Sequence, residues 1–327
     1  ICVVDLNRNR TLLARDRIGK KPLYYAHLAN GQLAFASELK ALHKVPGFDN
    51  TLDHAALRDY FTFGYVPTPA SIYRTTRKLP PAHLMVIEHG QAVVQEYAQI
   101  NFGPKLTGSE ADLKAQLAEQ IEQAVKVRLV SDVPFGAFLS GGTDSSVVCA
   151  LMARKTFTIG FNEREFNEMP DAARVAQHIG ADHHELVVSP DAVTLTQQLS
   201  WFFDEPFGDS SSIPTFVVAR LASEHVKMVL SGDGGDELFA GYDRYQRYRQ
   251  LARLNERSFG MAGPLLDGAS RVLSKRHASR LARIAARLGQ SYPDQYLSGV
   301  ALSNADDLQL LFGTQAGSHG TYESLRG

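Results

Sequence analysis

Leu139-Ser140-Gly141-Gly142-Thr143-Asp144-Ser145-Ser146 follows a short apolar run, residues 133–139, and opens into Val147-Val148-Cys149-Ala150-Leu151-Met152. Strand, glycine turn and helix thus arrive in the order that builds an anion site. Gly141 and Gly142 place no Cβ between the backbone and a ligand. The unpaired N–H groups of a first helical turn point at the same spot, with the positive end of the helix dipole behind them. Ser140, Ser145 and Ser146 add hydroxyl donors. The ligand expected is a phosphate or pyrophosphate. A serine-capped helix after a glycine turn is the plain alternative, since Ser and Asp are ordinary N-cap residues.

Outward from that stretch, strands and helices alternate as far as a helix beginning near Glu237, and past Tyr248 the chain reads as helical. A capping-box-like start at Ser109 and Asp112 precedes a helix over 110–130, with Leu113, Leu117, Ile121 and Val125 repeating every four residues as its apolar stripe. Strands are expected at 133–139, 156–161, 184–188 and 226–230. Helices are expected at 143–154, 171–179 (stopped by Gly180), 191–203, 213–225 and from about Glu237. Such alternation predicts a parallel sheet covered on both faces, with ligands at the carboxyl ends of its strands. Residues 1–97 differ. Short apolar runs at 1–6, 11–14, 22–26, 33–37, 83–88 and 92–97 alternate with Asn, Gly and Pro turns, and His89-Gly90 suggests a hairpin. A helix is expected at 53–61, a proline-punctuated connection at 64–81 and a linker at 101–108.

A second segment, Ser231-Gly232-Asp233-Gly234-Gly235-Asp236-Glu237, again follows an apolar strand and precedes a helix. Two Ser-Gly turns at neighbouring strand ends face one ligand. Carboxylates beside clustered phosphates are useful if they hold Mg²⁺, since like charges otherwise repel. Alone, this segment also reads as an Asp/Gly turn.

With 327 residues, 44% hydrophobic and 21% charged, the chain has room for two soluble domains with real cores. A formal net charge of -1 gives no general attraction to nucleic acid or membrane, so neither is expected as a partner. Two cysteines, Cys2 and Cys149, make no disulfide framework, and no long apolar span or signal peptide is read; the cytoplasm is the expected location. The basic stretch with Arg271, Lys275, Arg276, Arg280, Arg283 and Arg287 reads as a solvated helix face, because no aromatic residues interleave with it. The chain opens within a strand pattern without Met and closes on Gly- and Ser-containing residues 313–327, so both ends are expected to be truncations.

Residues 139–146 are not a Walker A loop, nor Gly-x-Gly-x-x-Gly. They match Ser-Gly-Gly-x-Asp-Ser, the loop of enzymes that split ATP into AMP and pyrophosphate. Together with 156–161, 231–242, Asp204-Glu205-Pro206-Phe207-Gly208-Asp209 and Ser212-Ile213-Pro214-Thr215, the chain resembles the synthetase domain of the glutamine-hydrolysing asparagine synthetase family. Residues 13–25 and 35–42 resemble the later part of that family's glutaminase domain. The resemblance implies a doubly wound α/β domain of adenine-nucleotide alpha-hydrolase type over 108–315, truncated at its C-terminus. Before it stands a β-rich remnant of an N-terminal-nucleophile glutaminase domain over 1–100. It further implies that aspartate is activated by ATP as β-aspartyl-AMP with release of pyrophosphate, and that glutamine-derived ammonia then displaces AMP. Ser140, Gly141, Gly142, Asp144 and Ser145 would hold pyrophosphate. Phe138 and Ile159 would frame adenosine, and Ser231 and Gly232 would touch AMP. Asp144 and Asp236 would ligate Mg²⁺, with Asp233 beside the reacting centre.

Departures accompany the resemblance. Family members often carry Glu where Asp233 stands. The N-terminal cysteine that cleaves glutamine lies upstream of this chain and is not Cys2, and a catalytic lysine is expected beyond it, the last lysine here being Lys275. Taken alone, such a chain is expected to be inactive. The same adenylating chemistry on a glycan, peptide or β-lactam precursor carboxylate stays open, as do a non-catalytic nucleotide-binding paralogue and a homodimer. The cluster Asp182-His183-His184-Glu185 is expected to be structural, because adjacent strand residues point to opposite faces. Arg15, Asp16, Arg17, Lys20 and Lys21 are expected to make a salt-bridged domain contact.

Overall fold

The computed structural model describes residues 1–152, 155–162, 167–188, 192–257, 288, 292–303 and 305–313. The basic stretch 271–287 and most of the C-terminal stretch 313–327 lie outside them. The chain divides into two compact units. One holds Ile1–Gly103, Ser200–Asp209 and the described residues from Asn255 onward; the other holds Pro104–Leu199 and Ser210–Leu254.

In the first unit, β1 (Cys2–Asp5), β2 (Arg10–Ala14), β6 (His83–Glu88) and β7 (Gln91–Glu96) form an antiparallel sheet in the order β1-β2-β6-β7. The His89-Gly90 hairpin is present. Both residues have positive φ, 51° and 77°, the backbone twist that suits a two-residue turn between Glu88 and Gln91. A second antiparallel sheet runs β4-β3-β5, from β3 (Tyr24–His27), β4 (Leu33–Ala36) and β5 (Thr76–Lys78). β5 lies inside what the sequence suggests is a connection, for three residues give no alternation to read. The one-turn helix α1 (Leu39–Leu42) is likewise illegible by period, although Leu39 and Leu42 are both buried.

Helix α2 (His54–Phe63) starts where Asp53 accepts hydrogen bonds from the N–H groups of Ala55 (2.9 Å) and Ala56 (3.4 Å), and ends at Gly64 with φ 80°. Asp53→Ala leaves those donors uncapped. It should lower stability by about 1 kcal/mol in chemical denaturation, with the slope unchanged.

The second unit is a parallel sheet, ordered β10-β9-β8-β11, built from β8 (Phe135–Phe138), β9 (Lys155–Phe161), β10 (Asp182–Val188) and β11 (Met228–Leu230). β8 begins two residues later than its apolar run suggests, after Pro134, which has no N–H to give a ladder. Alternating strand residues face opposite sides. Ala137, Leu139 and Leu230 pack with Val125 of α3 (Glu110–Arg128), Cys149 and Met152 of α4 (Thr143–Met152), and Ala172 and Ala176 of α5 (Met169–Ile179). Phe157 packs on the other side, against Val218 and Ala222 of the helix over Ser212–Ser223, with Phe138 and Ile159 beside it. Both faces are therefore covered.

The apolar stripe expected along α3 is buried only at Val125; Leu117 is 44% exposed. Ser109 caps this helix by accepting from the Asp112 N–H (3.1 Å). The Asp112 carboxylate, however, takes the Ser109 hydroxyl (2.6 Å) instead of returning to the Ser109 N–H as a full capping box would.

Candidate functional site

The chain adds β9 and β10 on one side of β8, then returns to place β11 on the other. The crevice at the carboxyl ends of β8 and β11 is thus a topological switch point, the usual ligand position in open α/β sheets. Residues 139–146 leave β8 there and residues 231–236 leave β11, the two strands pairing Leu230 with Ala137.

The two bends meet. A Cβ at Gly232 would lie 2.7 Å from the Ser145 nitrogen and 3.1 Å from the Asp144 carbonyl carbon; one at Gly235 would overlap the Asp144 carboxylate. Only glycine permits this approach, and it brings Asp144 against the residue that precedes Asp236. Gly241 packs in turn on the Asp236 carboxylate, and its N–H donates to the Asp236 carbonyl (3.0 Å).

Within the first bend, Ser145 is an internal brace. Its hydroxyl, 7% exposed at the residue level, donates to the Gly142 carbonyl (3.2 Å), accepts from the Ser140 N–H (3.2 Å) and lies 2.9 Å from the Ser140 hydroxyl. Ser146 donates to the same Gly142 carbonyl (2.6 Å). Gly141, read in sequence as clearance for a ligand, clears protein instead. Its φ is 82°, and a Cβ there would sit 2.7 Å from the Asp171 Cβ and 2.8 Å from the Ala172 nitrogen of α5. Gly142 faces open space but for the Ser140 hydroxyl.

Phe138 and Ile159 both adjoin the Phe157 core. Phe138 pairs with Phe157, so Ile159, two residues further along β9, stands level with Ser140. The Thr158 hydroxyl ties the two strands by donating to the Leu139 carbonyl. Cys149 lies beneath, its thiol pushed up to about 12 by burial.

Ser231 donates its hydroxyl to Asp233 (2.8 Å), which is exposed. Tyr242, the last residue of the 231–242 stretch, donates to Glu237 (2.8 Å), and Arg244 lies over its ring at 4.6 Å. The Glu237 bond, then burial, pushes the Tyr242 hydroxyl up to about 12, so it stays a neutral donor. Among the described residues none of Asp144, Asp233, Asp236 and Glu237 is ion-paired. A carboxylate set without counter-charge beside a helix N-terminus has the donor chemistry for Mg²⁺ plus phosphates, since Mg²⁺ usually takes one or two carboxylates and keeps the rest of its shell for phosphate and water. Among the described residues no group of three or more His, Cys, Asp or Glu gathers as a self-sufficient metal cluster.

The other sequence candidates are structural. His183 contacts Thr156 (2.8 Å) and Glu185 (3.2 Å), while His184 stacks on Phe157 and approaches Asp182 (3.4 Å); the two rings have different partners. Arg15 corrects the expected salt-bridged domain contact. Its guanidinium donates to the carbonyls of Lys21 (3.0 Å), Leu79 (2.7 Å) and Gly19 (2.9 Å), and Asp16 accepts the N–H groups of Ile18, Lys20 and Lys21. Arg15 and Asp16 thus hold backbone groups of their own loop, and Arg15 ties that loop to Leu79.

The sequence matches the asparagine synthase family over residues 116–321 and a glutamine amidotransferase domain over residues 1–98. It is 36% identical over 273 residues to glutamine-hydrolysing asparagine synthetase 1 of Bacillus subtilis (strain 168), covering 81% of this chain and 43% of that protein. A Methanocaldococcus jannaschii protein provisionally named as a glutamine-hydrolysing asparagine synthetase is 36% identical over 252 residues, 74% of this chain and 48% of its own. A protein with the same provisional name from Mycobacterium tuberculosis (strain H37Rv) is 38% identical over 275 residues, 78% and 42% respectively. The chain spans less than half the length of these relatives. No helix among the described residues is long and apolar enough to cross a membrane. With the asparagine synthase match covering more than half of it, the chain belongs to the asparagine synthase family.

Proposed function

We propose that this chain serves ATP-dependent amide synthesis of the glutamine-hydrolysing asparagine synthase kind. The observation that carries the reading is the meeting of the two bends at Gly232, Gly235 and Asp144. The parallel-sheet unit is of adenine-nucleotide alpha-hydrolase type, and residues 1–100 are the later part of an N-terminal-nucleophile glutaminase domain. Aspartate, glutamine and ATP are the substrates. Two unpaired cysteines, Cys2 and Cys149, suit the reducing cytoplasm.

The side-chain carboxylate of aspartate attacks the α-phosphorus of ATP. A P–O bond forms, the bond to pyrophosphate breaks, and ammonia later displaces AMP. The difficulty is bringing anions together. Ser140, Gly141, Gly142, Asp144 and Ser145 shape the turn that directs the first N–H groups of α4 at the leaving pyrophosphate, where the helix dipole offsets growing charge. Asp144 and Asp236 hold Mg²⁺, which neutralises phosphate charge when bound. Phe138 and Ile159 flank the adenosine, and Ser231 and Gly232 border the AMP phosphate. Asp233, which accepts the Ser231 hydroxyl, is the carboxylate beside the reacting centre.

The test is ATP–pyrophosphate exchange by the full-length protein, run with aspartate and with glycan and peptide acids. Exchange that depends on aspartate and Mg²⁺ is expected. Exchange with another acid, and none with aspartate, contradicts the assigned substrate.

A further inference from the structure

Past the second bend the chain makes a single helical turn, Gly235–Phe239, and then folds back on it. So short a helix does not hold itself together. Ala240 ends the turn in the left-handed region, at φ 57° and ψ 41°, a conformation that crowds a Cβ against its own backbone and persists only when the surroundings impose it. What imposes it is the return of Gly241 and Tyr242. The Gly241 N–H donates to the Asp236 carbonyl (3.0 Å), and a Cβ at Gly241 would overlap the Asp236 Oδ1 and lie 3.0 Å from its Cγ. The Tyr242 hydroxyl then reaches back to Glu237 (2.8 Å), with the Arg244 guanidinium 4.6 Å from the centre of its ring and the Tyr245 ring 5.7 Å away.

Asp236 and Glu237 are neighbours in sequence, so their side chains leave the turn in different directions. Glu237 is engaged by Tyr242. Among the described residues the carboxylates of Asp144 and Asp236 accept no hydrogen bond and make no ion pair. Each is instead backed by a glycine, Asp144 by Gly235 and Asp236 by Gly241. A Cα pressed against a carboxylate limits where it can turn and consumes none of its lone pairs. Both properties suit a ligand for Mg²⁺, which tolerates little departure from octahedral geometry.

We propose that Tyr242 is a positioning residue for Mg²⁺: its bond to Glu237 closes residues 236–242 so that Gly241 holds the Asp236 carboxylate in place for the ion. This rests on the Mg²⁺ role of Asp236 proposed above and adds the element that sets its orientation. Tyr242→Phe removes one oxygen and keeps the ring beneath Arg244. Gly241→Ala acts on the other contact. Its methyl displaces the end of a side chain that is free to rotate, so the chain folds while the Asp236 carboxylate turns aside.

Mn²⁺, standing in for Mg²⁺, is titrated into the full-length protein carrying a non-hydrolysable ATP analogue, and free Mn²⁺ is read by electron paramagnetic resonance. Tyr242→Phe should weaken Mn²⁺ binding about tenfold, the scale on which a residue behind a metal ligand acts. The Mg²⁺ needed for half-maximal ATP–pyrophosphate exchange should rise by the same factor, with the KM for aspartate within about twofold of wild type. Gly241→Ala should weaken Mn²⁺ binding at least as much, and guards against a Tyr242 variant that does not fold. Glu237→Gln, whose amide oxygen still accepts the hydroxyl, should stay within about threefold of wild type. Wild-type Mn²⁺ affinity in either folded variant, Tyr242→Phe or Gly241→Ala, or an equal loss in Glu237→Gln, overturns the proposal. A wild type without aspartate-dependent exchange overturns the substrate proposed above, while the Mn²⁺ titrations still decide the role of Tyr242.

Discussion

Asp144→Asn in the full-length protein is expected to reduce ATP–pyrophosphate exchange about a thousandfold, the scale on which one preorganised charge-stabilising group acts. Asn keeps the shape and a carbonyl oxygen, so the packing against Gly235 survives; what is lost is the negative charge that draws Mg²⁺ to the switch point. The loss should fall on turnover, and thermal unfolding of the free protein should change little, because among the described residues Asp144 has no ion-pair partner to strand. Exchange that persists at wild-type rate and Mg²⁺ dependence contradicts the assigned role.

Gly232→Ala tests the same junction by steric means. The added methyl would stand 2.7 Å from the Ser145 nitrogen and 3.1 Å from the Asp144 carbonyl carbon. These are backbone atoms at the head of a helix, unable to rotate aside, so the 231–236 bend must retreat from the 139–146 bend. Overpacking of this kind costs about 1–3 kcal/mol, visible as a lower unfolding midpoint. Separation of the two bends by a fraction of an ångström should lower exchange roughly a hundredfold. A variant with wild-type stability and exchange shows that the bends do not need this closeness.

Much of the architecture is legible in the sequence because its determinants are local. The runs at 133–139 and 226–230, each ended by a Ser-Gly turn, together with the run at 156–161, specify a parallel sheet and the helices after it. Gly180 and the His89-Gly90 pair announce a stop and a hairpin by their own conformational preferences. Illegible are β5 and α1, three and four residues long, whose existence depends on pairing with β3 and on burial of Leu39 and Leu42. The exposed face of α3 escapes the sequence for a related reason: its four-residue repeat fixes a stripe, but what covers the stripe is tertiary.

The site divides along the same line. That each Ser-Gly bend ends a strand and precedes a helix follows from element order; that those strands, β8 and β11, are neighbours is a matter of topology. That Gly232 and Gly235 are the residues allowing contact with Asp144, and that Gly141 instead clears α5, requires three dimensions. Ser145, a candidate donor by composition, is turned into the bend by the Gly142 carbonyl. The pairs Lys40–Asp204 and Lys78–Glu205 join residues more than a hundred positions apart, beyond the reach of any periodicity.

The most direct measurement is a crystal structure of the full-length protein grown with AMP, pyrophosphate and Mg²⁺. The phosphates should lie between residues 140–145 and 231–236, with the metal touching Asp144 and Asp236. Nucleotide bound away from the β8–β11 crevice, or resting on one bend with the other turned away, contradicts the central claim.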